Sequence, residues 1–216
     1  SEKWHQNMWE GLARKTFKGA VDSYPEEVFT QFKTESSYAA SIGQVHEAWI
    51  DEKKYAVKIQ YPGVAKSIVS DLRLVKPIAL RILKLKKEDV DDYFNEVQEK
   101  LLEETNYIHE KESLIESRLL SKHLKNIVIP EVNEALSSRT ILTMEWMDGL
   151  HLSEYVEQES NQEKRNQIAQ ALWDFFQYHI HVHHKVHADP HPGNFKVNKD
   201  NKLVVLDFGC MKTIPL

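Results

Sequence analysis

The chain has 216 residues, 41% of them hydrophobic and 28% charged, with a formal net charge of -5. That size suits one large domain or two small lobes around a cleft, and the negative balance argues against a nucleic-acid partner. The single cysteine excludes an intrachain disulfide and fits a reducing compartment. No run approaches the roughly 20 apolar residues of a membrane span, and Ser1 to Glu10 is polar with two tryptophans, unlike a signal peptide.

Residues 1–34 read as helical, with Trp9, Leu12, Thr16 and Ala20 on one face and a break at Ser23-Tyr24-Pro25. Ile42 to Ile50 and Tyr55 to Gln60 are β-branched and aromatic, separated by the polar Asp51-Glu52-Lys53-Lys54, and predict a strand pair. Two helical stretches follow, at 64–76 and 77–86. Lys76 to Lys87 is basic and apolar together, which suits either a membrane-surface helix or a helix that packs on the core and solvates its lysines.

A long helix is expected from Asp89 to Leu124, then strands at Ile127–Val132 and Thr140–Glu145. Ser160 with Glu163 predicts a capping box opening a helix to about His184, with Ile168, Leu172, Phe175, Phe176 and His179 at helical spacing. Two short strands close the chain around 195–206. The elements divide into a helical segment at 1–34, a β-rich lobe at 35–148 with helices inserted at 62–90, and a helical lobe at 149–216.

The chemistry concentrates near the end. His187-Ala188-Asp189-Pro190-His191-Pro192-Gly193-Asn194 reads H-x-D-x-x-x-x-N, and Asp207-Phe208-Gly209 follows at kinase spacing. In phosphoryl transfer, charge builds on phosphate oxygens and must be neutralised by fixed groups. Asp207 is placed to chelate Mg²⁺, Asn194 to hold a second metal position, and Asp189 to accept or orient the proton of the acceptor. Lys58, in the apolar run Ala56-Val57-Lys58-Ile59, matches the strand lysine that contacts the α- and β-phosphates.

That lysine needs a carboxylate from the long helix. Val97, Leu101, Ile108 and Ile115 mark an apolar stripe that contains Glu104, so periodicity selects Glu104 as the buried carboxylate. Glu110 lies six residues on, more than about 200° around a straight helix, so the two cannot share one target.

Before Lys58, Tyr38-Ala39-Ala40-Ser41-Ile42-Gly43-Gln44-Val45-His46 stands where kinases carry a glycine-rich loop. The small residues Ala39, Ala40 and Ser41 let backbone amides approach phosphates. Leu142 to Gly149 reads as an interlobe hinge, in which the Glu145 carbonyl and Met147 N–H would take adenine. His179, His183 and His187 are spaced i, i+4, i+8, but no acidic or cysteine ligand accompanies them in a metal-site motif, so core packing is the expected role.

The combination A-S-I-G-Q-V-H, A-V-K-I-Q-Y-P-G-V, E-x-N-Y-x-x-E, D-P-H-P-G-N and L-D-F-G resembles the UbiB/ADCK family of aarF-domain atypical kinases over residues 35–216. The resemblance implies an α+β, protein-kinase-like two-lobed fold with a helical insert between the third strand and the long helix. It implies ATP or ADP with Mg²⁺ as cofactors, and phosphoryl transfer to a small molecule or to water in quinone metabolism. It names Lys58 as the ATP-contacting lysine and Glu110 as its ion-pair partner, and assigns Glu104 to an E-x-D motif facing an N-terminal extension.

This chain departs from the family in three places. Tyr38 stands for the first alanine of A-A-A-S, Asn106 stands for the aspartate of E-x-D, and K-x-G-Q is absent from residues 1–34. The chain stops seven residues after Gly209, so the C-lobe is expected to be cut short. The expected partners are a nucleotide, a lipid or quinone precursor and a membrane surface, with a cytoplasmic or inner-face peripheral location. A nucleotide-binding scaffold and an aminoglycoside- or choline-type kinase are the alternatives; the alanine-rich loop and the insert argue against the second.

Overall fold

A computed structural model describes the backbone of residues 2–40, 42–83, 87–187, 190–209 and 211–214, and their side chains except those of 2–10, 82–83 and 87–90. Ser41, Asp189 and Lys84 to Lys86 of the basic segment lie outside the described residues. The elements are, in order, α1 (Glu2–Val21), α2 (Pro25–Val28), β1 (Gln31–Phe32), β2 (Tyr38–Ala39), β3 (Gly43–Ile50), β4 (Lys53–Gln60), α3 (Val64–Leu83) and α4 (Lys87–Glu104). Then follow α5 (Tyr107–Leu120), β5 (Ile127–Val128), β6 (Ile141–Glu145), β7 (Leu150–His151), α6 (Leu152–Gln158), α7 (Gln162–His183), β8 (Lys185–His187), β9 (Phe195–Val197), β10 (Leu203–Val205) and β11 (Met211–Thr213). Two compact units divide them: Ser1–Glu52, Ala56–Ile108 and Ala135–Leu142 form the first, and Lys53–Tyr55, His109–Glu134 and Thr143–Leu216 the second.

In the first unit, strands run in the order β1-β3-β4-β6, with β2 also paired to β3. The turn between β3 and β4 tightens to Asp51-Glu52 because Asp51 adopts φ 53°, a left-handed conformation that aspartate tolerates. The core joins Ala13, Phe17, Phe29, Ala48, Val57, Ile59 and Ile141. On α1 the core takes Ala13 and Phe17, with Ala20 of the expected face packed against it; Leu12 and Thr16 are half-buried, and the Phe17 ring packs on Phe29 at 5.7 Å. The side chain of Trp9, placed on that face by the sequence, lies outside the described ones.

The insert is also simpler at its start than expected. The chain does not break between 76 and 77; α3 runs through Pro77, which is exposed. The long helix, by contrast, is broken. Leu102 O accepts from both the backbone N–H (3.1 Å) and the hydroxyl (2.7 Å) of Thr105, and Asn106 Oδ1 accepts from Ile108 N at 3.2 Å. Threonine closes α4 and asparagine caps α5, as their short polar side chains favour.

This break overturns the periodicity reading of Glu104. Restarted at residue 107, α5 buries Tyr107, Glu110, Leu114 and Ser117, steps of three and four along one face. Glu104 is exposed and Glu110 is 6% exposed. The stripe drawn across both helices crossed a change of phase at 105–106.

The second unit is built on a four-stranded sheet in the order β5-β10-β9-β7, with β10 parallel to β5 and antiparallel to β9. Leu203, Val204 and Val205 are fully buried, and α7 contributes Ile168, Ala171, Phe175 and His179 to the core. The strand expected at Ile127–Val132 is regular only at Ile127–Val128, with an isolated bridge from Val132 to Met144. The expected Ser160 capping box gives way to Asn161, whose side chain accepts from Glu163 N and Lys164 N. His184 ends α7 in a left-handed conformation at φ 51°. Among the described residues no helix is long and apolar enough to cross a membrane.

Candidate active site

The β9–β10 hairpin positions the first pair of site residues. Phe195 is in register with Val205, and one step further Leu206 N donates to Asn194 O at 2.9 Å. Asn194 and Asp207 are thereby brought to the same end of one hairpin. Asn194 is also fixed from the other side, because its N–H donates to His191 O at 2.9 Å and His191 Nδ1 accepts from Gly193 N at 3.0 Å.

Asp207 is held by its backbone and by one carboxylate oxygen. His187 Nε2–H donates to Asp207 O at 2.7 Å, and Asp207 Oδ1 accepts from Gly209 N at 2.8 Å. No hydrogen bond from a described residue is made to Oδ2, which leaves that oxygen as the one suited to a cation. Behind this turn Phe208 is fully buried, 6.1 Å from both the Phe175 and the His187 rings. A second ribbon, β8 with β11, pairs His187 with Met211 and brackets the segment between them.

Glu110 belongs to the same unit and comes close to the same turn. A side chain at Gly209 would place its Cβ 3.3 Å from Asp207 Oδ1 and 3.9 Å from Glu110 Oε2. The glycine thus leaves room for two carboxylates beside one backbone turn.

In the first unit, Lys58 lies between the buried Val57 and Ile59 on β4 and is itself half-buried, with Nζ 5.0 Å from the Tyr107 ring centroid. The ring face stabilises the ammonium by about 0.5–2 kcal/mol. Ala39 pairs with Gln44 across β2 and β3, and Ala40 N donates to Gly43 O at 2.9 Å. The Ala40 amide is therefore committed to its own turn. Gly43 sits where a Cβ would fall 2.3 Å from Ile59 O, so the close approach of β3 to β4 beside Lys58 requires glycine.

Around the hinge segment, Glu145 N donates to Glu131 O at 2.8 Å and Glu145 Oε2 accepts from Glu131 N at 3.4 Å. Lys196, which the sequence reading passed over, is only 6% exposed and donates to Met147 O at 3.3 Å. The Trp146 ring has Lys54 Nζ 3.9 Å from its centroid and Lys196 Nζ at 5.8 Å. Burial pushes the Lys196 ammonium below its ordinary pKa, partly offset by Asp148 and Glu154. Its signal was available: Phe195-Lys196-Val197 is a lysine between two apolar residues, the same pattern that singled out Lys58. Gly149, at φ 147°, lies where a Cβ would be 2.5 Å from Val197 O, which ties the segment to β9.

The histidine series plays structural parts where it is described. His179 Nδ1 bonds Phe175 O at 2.9 Å and His187 holds Asp207. No cluster of three or more His, Cys, Asp or Glu suited to a metal occurs among the described residues. One carboxylate and one amide oxygen do suit Mg²⁺, which commonly binds through one or two carboxylates plus substrate phosphates.

A hairpin ending in asparagine and aspartate, an aspartate turn seated on buried aromatics and a strand lysine define a protein-kinase-like domain. The family model described as the ABC1 atypical kinase-like domain matches residues 3–215, and the chain belongs to that family. The chain is similar to "Atypical kinase COQ8B, mitochondrial" of Danio rerio, at 34% identity over 82% of this chain and 28% of that protein. It is also similar to "Probable serine/threonine-protein kinase abkA" of Dictyostelium discoideum, at 33% identity over 85% of this chain and 35% of that protein. A solved structure, the complex of Rv3197 with erythromycin from Mycobacterium tuberculosis, matches with a TM-score of 0.81 and 26% identity, covering 95% of this chain and 52% of that one. The chain thus spans about a third or less of the curated relatives' length.

Proposed function

We propose that this chain is the nucleotide-binding part of an atypical kinase or ATPase that uses Mg-ATP and passes phosphate to a small molecule or to water rather than to protein. The observation that carries the reading is the hairpin end, where the Leu206–Asn194 hydrogen bond sets Asp207 beside Asn194 with Oδ2 turned to no described partner. Asp207 and Asn194 would hold Mg²⁺, which when bound neutralises charge on the phosphates. By the resemblance of the motifs, Lys58 would contact the α- and β-phosphates and Glu110 would be its carboxylate partner. Ala39, Ala40 and Ser41 form the loop over the phosphates, and Glu145 O and Met147 N–H take the adenine. Asp189 orients the acceptor and receives its proton.

The setting in ubiquinone or other isoprenoid-quinone synthesis rests on the resemblance of the motifs. A peripheral membrane location is supported by α3, where Leu74 is 71% and Ile78 58% exposed beside Arg73 and Arg81.

Phosphate release by the full-length protein, with and without lipid or a quinone precursor, tests the catalytic part. Asp189→Asn is expected to lower turnover by about 10²–10⁴-fold while ATP affinity stays within a few-fold. Unchanged turnover removes Asp189 from its role. A wild type that binds Mg-ATP yet never turns it over is a nucleotide-binding scaffold.

A further inference from the structure

Val57 and Ile59 turn one face of β4 to the core that holds Phe17. By strand alternation, Lys58 and Gln60 share the opposite face. Both meet the junction between α4 and α5. Gln60 is 5% exposed and donates from Nε2 to Thr105 O at 2.7 Å, and Lys58 Nζ lies 5.0 Å from the Tyr107 ring centroid. The junction is held from a second direction as well. Tyr107 N donates to Arg139 O at 3.0 Å, while the next carbonyl, Thr140 O, accepts from Gln60 N at 3.0 Å.

Tyr107 itself is 2% exposed, so its ring is fixed by packing. Its far end reaches β3, where a Cβ on Gly43 would fall 3.0 Å from the Tyr107 hydroxyl oxygen. The break at Thr105-Asn106 thus delivers one anchored aromatic face to the strand lysine. A lysine side chain samples many rotamers and loses that freedom when it meets an anion. An ammonium resting on an aromatic face has lost part of it beforehand, and its side away from the ring keeps N–H donors for a phosphate.

We infer that Tyr107 is a positioning residue for Lys58: its ring holds the ammonium in the place from which it meets the nucleotide phosphates. What Lys58 meets rests on the nucleotide reading proposed above; the ring's hold on Lys58 does not.

The experiment labels the full chain with ¹³C-lysine and follows Lys58 by NMR, beside calorimetric titration of Mg-ATP. The Lys58 Hε resonance, identified by its loss in Lys58→Met, should be shifted upfield by the ring and should stay so when Mg-ATP is added. Tyr107→Leu should remove the shift and weaken Mg-ATP binding roughly three- to tenfold. Tyr107→Phe, which keeps the ring, should restore both. Introduced into Lys58→Met, Tyr107→Leu should weaken binding no further, a dependence that a merely structural role would not produce. Lys58 Hε at the position of an exposed lysine overturns the inference, as does a weakening by Tyr107→Leu that is the same with and without Lys58. A wild type that keeps the shift but binds no ATP upholds the ring's hold on Lys58 and overturns the nucleotide reading instead. If Tyr107→Leu does not fold, the wild-type shift and its persistence with Mg-ATP decide.

Discussion

Gly43 and Gly149 are dictated by what lies opposite their α-carbons. Gly43→Ala would drive a methyl to 2.3 Å from Ile59 O, and Gly149→Ala would add a forbidden φ to a 2.5 Å clash with Val197 O. Each is expected to cost about 1–3 kcal/mol in urea unfolding, through backbone displacement; a change within about 0.5 kcal/mol would mean the strands yield freely. The sequence showed the glycine inside the alanine-rich loop but not its reason, because close approach to a neighbouring strand leaves no mark in the loop's own residues. Motif spacing singled out Lys58, Asn194, Asp207 and the hinge residues as candidates, since spacing along a hairpin or strand is a local property. Lys196 could not be given a role that way, because its partner, Met147 O, is 49 residues distant.

Element boundaries show where local patterns mislead. The stripe through Val97, Leu101, Ile108 and Ile115 assumed one helix, and the Thr105-Asn106 break reset the phase. Residues that close and cap helices were present, but they also occur inside helices, so the pattern of apolar residues outweighed them. The capping box at Ser160 failed for a related reason: Asn161 is one residue nearer the helix and its side chain reaches two backbone N–H groups. Asn161→Ala is expected to lower stability by about 1 kcal/mol, read from the urea midpoint, while Ser160→Ala should leave it nearly unchanged. β1, β2, β7, β8 and β11 were not read from the sequence, since a run of two or three residues has no period to detect; β10, equally short, was read from the apolar run Leu203 to Leu206 before Asp207.

At the scale of the whole molecule, stability is expected to fall on mild acidification. His46 and His179 are both about 1% exposed, and burial lowers the pKa of each below the usual imidazole value. Each ring takes up its proton at a lower pH in the folded chain than in the unfolded chain, which begins to take up protons below about pH 6.5. The unfolded state then binds more protons, so stability declines as pH falls, by at most about 1.4 kcal/mol per pH unit for each histidine. Urea midpoints at pH 7.5 and pH 5.5 read this directly, and His179→Gln should flatten part of the slope. The α+β kinase-like fold was legible from the order of motifs, because the catalytic motifs fall on strand ends and loops in a fixed sequence. The boundary between the two units passes through β4 and β6, which contribute residues to both, and such a boundary inside an element leaves no mark in the sequence. The central claim is that Asp207 and Asn194 form a metal-dependent nucleotide site. Calorimetric titration of ATP into wild type and Asp207→Asn, each with Mg²⁺ and with EDTA, tests it most directly: wild type should bind at least about tenfold more tightly with Mg²⁺ and Asp207→Asn should show no such difference, whereas an equal response to Mg²⁺ in both proteins would contradict the account.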